Sequence, residues 1–220
     1  MVDLAVLHSM LIEMHGGMLT LATFCILAIV AARIHLRMRR TNEKYGSSWP
    51  MDSFLGKLAR YAEPTAYLAG IGGVIGLITS AIVGIYVWPL ELVTTSALAL
   101  NKIMFSILAT ELWIIFIILR SKYGEPIWKN RALATVYACV GLVGFLFMVL
   151  AGSMGAHMTG KTSVIDPIFT LFGINPLTFG AVGNDFVILF ISVSLVLAVA
   201  PLAAVLYFQR RNKDKGNAKA

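Results

Sequence analysis

Charged side chains are scarce in this 220-residue chain: they make up 13% of it, against 58% that are hydrophobic. A soluble domain carries about a quarter charged residues, so the composition excludes an ordinary water-soluble fold. Cysteine is nearly absent. Cys25 and Cys139 both fall inside apolar runs, which excludes a disulfide framework and a Cys-x-x-Cys-His covalent haem site. A nucleotide-binding loop, a nucleophile elbow and a metallohydrolase motif are also missing, so a catalytic site lying wholly within this chain is not expected. No basic stretch precedes the first apolar run; Asp3 does, and the arginines follow. The run therefore reads as a retained helix rather than a cleaved leader.

What the chain has is apolar length. Segments at about 11–32, 64–88, 97–119, 132–153 and 186–208 each offer the roughly 20 residues needed to cross a hydrocarbon layer about 30 Å thick. Of the 18 Lys and Arg residues, 16 lie in 33–63, 120–131 or the tail 209–220. Five spans put those three segments on one side, and the excess of basic residues makes that side the cytoplasm. The expectation is an all-α integral membrane protein of the plasma membrane: a five-helix bundle with its N-terminus outside and a basic cytoplasmic tail. The net charge of +7 then belongs to the membrane surface and implies no nucleic-acid partner.

Finer features follow from the punctuation. Helical sequence begins near residue 2 and projects beyond the bilayer. Gly46, Ser47, Ser48 and Pro50 break the segment after the first span, leaving an interfacial amphipathic piece around Phe54, Leu55 and Leu58. Pro64 suits the first turn of the second span. Within that span Gly72, Gly76, Ser80 and Gly84 recur every four residues, a stripe that admits another backbone or a flat cofactor. Trp88 and Trp128 are expected as interface anchors at opposite ends. The segment after the fourth span carries Ile165, Ile168, Phe169, Leu171 and Phe172 and is expected to rest on the outer membrane surface or to cap the helices.

Ionisable groups at membrane depth are functional candidates by default. His35 falls among the arginines and reads as solvated, while His8, His15 and His157 gather at the other end. His8 and His15 are seven residues apart, so they share a helix face about 10 Å apart in height. Counting outward from the basic flanks Arg33 and Arg131 places His15 just inside the outer hydrocarbon edge, with His8 about 7 Å and His157 about 9 Å beyond it. Two imidazoles from different helices at one level suit a b-type haem, with Lys102 or Glu13 as propionate or neighbouring partners. Copper is the competing ligand, because Met10, Met14, Met18, Met154 and Met158 interleave with the same histidines. Methionine as apolar filler and histidine as a structural polar group are the plain alternative. Glu111, near the middle of the third span, is a candidate for proton handling or for a helix-packing hydrogen bond.

The run from Leu7 to Gly17, with His8 and His15, taken with the Gly152 to Gly160 run around His157, resembles an uncharacterised family of small predicted membrane proteins with paired N-terminal histidines. Ser9 stands where that pattern has a proline. More loosely, the chain is similar to the membrane-embedded b-type cytochrome subunits of respiratory complexes. The resemblance implies haem ligation and electron transfer with a quinol-like carrier or a partner protein. A copper-handling protein, or a cofactor-free accessory subunit assembled with other subunits of a membrane complex, are the other expectations.

Overall fold

The computed structural model describes residues 3–41, 50–175, 185, 189, 190 and 194. Regular structure among them is helical: α1 (Leu4–Thr41), α2 (Pro50–Val87), α3 (Leu90–Thr95), α4 (Ala97–Tyr123), α5 (Arg131–Met158) and α6 (Asp166–Leu171), with a single 3-10 turn at Glu125–Trp128. Four of these, α1, α2, α4 and α5, are long and apolar enough to cross a membrane. The expected fifth span, 186–208, and the tail lie outside the described residues, apart from Leu189, Phe190 and Ser194.

Local chemistry sets the helix ends. The Ser96 hydroxyl accepts the Ala99 N–H to start α4, and the Asn130 side chain accepts the Leu133 N–H to start α5. Gly124, at φ 62°, ends α4 with its N–H donated to the Arg120 carbonyl, a backbone conformation that disfavours other residues.

One expected boundary moves. Pro64 lies inside α2, which begins at Pro50, so the amphipathic piece and the second span are one continuous helix. An interior proline removes one backbone hydrogen bond, and packing of the flanking turns holds the helix through it: Ala62, Glu63 and Ala66 are all buried.

The four long helices form a ring. α1 pairs with α2 and α4 with α5, and the two hairpins close through α2 against α4 and α1 against α5. The α1 seam, His8, His15, Leu19, Ala22, Ile26 and Ile29, is buried at spacings of seven, four and three. It meets a seam of small residues on α2: Ala62, Ala66, Ala69, Gly73, Gly76, Ser80 and Gly84 are likewise buried or half-buried. The register is antiparallel, His8 opposite Gly84, His15 opposite Gly76 and Leu19 opposite Gly73. In the second hairpin Gly141, Gly144 and Gly155 of α5 face Phe116, Trp113 and Lys102 of α4. Small residues on one helix let large ones on the other sink into it.

Outside the ring the order is reversed. Phe24, Leu68, Ile75, Ile82, Ile115 and Leu146 point outward and exposed, while His8, His15, Thr23, Ser80, Asn101 and Ser153 are buried. That distribution suits lipid outside and polar contacts within.

At the end of the bundle holding Arg33 and Arg120, aromatic rings carry the core. Trp113 packs edge-on against Phe116 at 5.0 Å, Phe116 stacks on Tyr137 at 4.1 Å, and Trp128 meets Tyr137 at 5.3 Å. Trp128, expected as an interface anchor, is instead buried under the Arg33 guanidinium, which lies 5.3 Å from its ring centre. The 3-10 turn tucks the indole inward. Beside this core the buried Glu63 carboxylate takes a two-pronged bond from Arg120, one prong of 2.8 Å from Nη2.

Candidate functional site at the histidine end

α1 carries His8 and His15 to the interior because its heptad seam faces α2. Only 9% of His8 and 7% of His15 is exposed. Each imidazole residue occupies the space left by a glycine: a Cβ on Gly84 would stand 2.9 Å from His8 Cε1, and one on Gly76 would stand 2.6 Å from His15 Cβ. The stripe that would admit a flat cofactor is thus filled here by the histidines of the partner helix. Neither ring nitrogen of His8, nor Nδ1 of His15, has a hydrogen-bond partner among the described residues. The backbone of Ser80 lies within electrostatic reach of His8, and that of Leu11 within reach of His15.

Lys102 joins this pair. Its stem runs past Gly155 of α5, where an added Cβ would meet Cε at 3.3 Å and Nζ at 3.6 Å, and its charge reaches both imidazoles. No carboxylate among the described residues forms an ion pair with it. Asp3, just before α1, and Glu13 of α1 are exposed.

His157 sits at the same end but turns elsewhere. Its Nε2 lies 3.0 Å from Asp166 Oδ1 and 3.4 Å from Ser153 Oγ. A carboxylate only accepts, so Nε2 is the protonated nitrogen in this pair and, in the neutral ring, Nδ1 keeps its lone pair. Asp166 Oδ2 in turn accepts the Ser163 N–H at 2.7 Å, tying the segment before α6 to the end of α5. Ile165 and Phe169 pack against Leu100, Met104, Phe105 and Met154, so the segment caps the α4–α5 hairpin as one of its two expected placements required.

The remaining candidates scatter. Glu111 is half-buried on α4, nine residues or about 13 Å along the helix from Lys102. Met10, Met14 and Met18 are exposed along α1, whereas Met154 is in the core. Among the described residues no group of three or more His, Cys, Asp or Glu side chains is arranged to hold a metal ion.

Two features lay beyond the sequence reading. Asn101, 1% exposed, spends its Nδ2 on the Ala97 carbonyl at 2.8 Å and leaves Oδ1 without a partner among the described residues. Asp166 follows His157 by nine residues across the Gly160 turn, a spacing with no signature of its own.

No protein-family model, curated protein or solved structure matches the chain.

Proposed function

We propose that the chain is a multi-pass plasma-membrane subunit of five spans, N-terminus outside and C-terminal tail in the cytoplasm, that holds a b-type haem near its outer face. In this reading it passes electrons between a quinol-like carrier and a partner protein within a larger membrane complex. The observation that carries the reading is the pair of buried imidazoles, His8 and His15: among the described residues, both ring nitrogens of His8 and Nδ1 of His15 lack a hydrogen-bond partner. A buried unmade hydrogen bond costs about 1–3 kcal/mol, and iron ligation would use such a lone pair.

Other residues fit supporting parts. Asp166 fixes the tautomer and orientation of His157 through Nε2, the arrangement that prepares the other nitrogen of an imidazole for a metal. The Lys102 ammonium, without a carboxylate partner among the described residues, suits a propionate. Haem, when bound, supplies one-electron transfer; the protein's share is to ligate, orient and keep water out.

A cofactor-free accessory subunit is the second reading, favoured by the fit of both histidines into glycine gaps. Copper has less support, since Met10 and Met14 are exposed to the surroundings of the bundle. The test is a reduced-minus-oxidised spectrum of the chain purified in mild detergent, with a pyridine haemochrome and a copper determination. Haem bands support the first reading. Stoichiometric copper without haem favours the copper reading, and a colourless, metal-free chain that co-purifies with other subunits favours the second.

A further inference from the structure

The cations of the bundle divide into paired and unpaired ones. Arg120 is held by Glu63 and Arg39 by Asp52. Arg33 is fixed just as firmly but by neutral groups: Nη1 donates to the Trp128 carbonyl, and the guanidinium lies over the Trp128 ring. It is exposed, and no carboxylate among the described residues pairs with it. Four of its five N–H donors remain after the bond to Trp128. The chain around that tryptophan adds charge of the same sign. Lys129 follows it directly and Arg131 two residues later, both exposed, and Lys122 lies in the last turn of α4. Glu125, also exposed, offsets only part of this charge.

Depth narrows what would answer it. Arg33 follows the apolar run 11–32 on α1, and Arg131 begins the apolar run of α5, so both stand where hydrocarbon gives way to headgroups. An immobilised guanidinium matches phosphate by two parallel hydrogen bonds. A cluster of cations beside a span attracts anionic lipid by about 1 kcal/mol for each.

We infer that Arg33, held on Trp128 and flanked by Lys129 and Arg131, is a headgroup site for an anionic phospholipid at the arginine end of the bundle. The inference rests on the long helices being membrane spans, which alkaline carbonate extraction of membranes tests separately: release of the chain would overturn that reading and not lipid selectivity as such.

The site is tested by native mass spectrometry of the full chain in detergent, supplied with equal phosphatidylglycerol and phosphatidylcholine. Phosphatidylglycerol should be retained in preference. Arg33→Gln should cut its retention about tenfold, as loss of a charge-assisted bond implies, with phosphatidylcholine unchanged and Arg33→Lys in between. The paired surface change Lys129→Gln with Arg131→Gln leaves the Trp128 contact intact and should also lower retention, while Lys161→Gln at the opposite end should not. Equal retention of the two lipids, indifference to both sets of changes, or complete displacement by millimolar inorganic phosphate would overturn the assignment, the last by identifying a free-phosphate site.

Discussion

His8 presents its Cε1 edge to Gly84 of the neighbouring helix so closely that a methyl group on that glycine would stand 2.9 Å from the ring. His15 and Gly76 repeat the relationship two turns further along, with the contact at the histidine Cβ itself. The imidazoles are therefore part of the α1–α2 seam as well as candidates for chemistry.

Gly76→Ala should destabilise the protein most among the α2 glycines. The obstructing atom is a Cβ, with the His15 Cα at 3.4 Å, so the helices must part rather than a side chain swing aside. Overpacking of this kind costs about 1–3 kcal/mol. Gly16→Ala and Gly152→Ala, with nothing within 4 Å, should be neutral or slightly stabilising through better helix propensity. Thermal unfolding in detergent measures all three.

Glu63→Gln should cost about 3 kcal/mol, because it leaves Arg120 at the edge of the buried aromatic core without its counter-charge. Replacing both, Glu63→Gln with Arg120→Met, should recover most of the loss. The double-mutant cycle is read from chemical or thermal unfolding; an additive result would mean that the pair is not energetically coupled.

Asp166→Asn should loosen the segment before α6 while sparing the bundle. It removes the carboxylate that holds both the His157 ring and the Ser163 N–H, bonds worth about 1–3 kcal/mol to a charged group. Faster hydrogen exchange confined to residues 163–172 is the expected result, and unchanged exchange there would show that Ile165 and Phe169 hold the segment unaided.

Much of this architecture was legible because burial and helix period leave a direct imprint on sequence. Apolar runs located α1, α2, α4 and α5, and the seven-residue spacing put His8 and His15 on one face. The spacing of Gly72, Gly76, Ser80 and Gly84 announced a close approach. What approaches was not legible, since a glycine stripe records room and not its occupant. Pro64 misled because its local preference for a first turn is overridden by packing on either side. Trp128 misled likewise, its indole being drawn in beneath Arg33 by a turn only four residues long. The His157–Asp166 bond depends on how the chain folds back after Gly160, which no periodicity encodes.

The difference spectrum of the reduced chain, compared among wild type, His8→Leu, His15→Leu and His157→Leu, bears most directly on haem ligation at the histidine end. A b-type haem held here gives its bands in the wild type and their loss or clear displacement in at least one of the three variants, with His35→Leu unaffected. A wild-type chain without haem bands, or bands that survive all three changes intact, would contradict it.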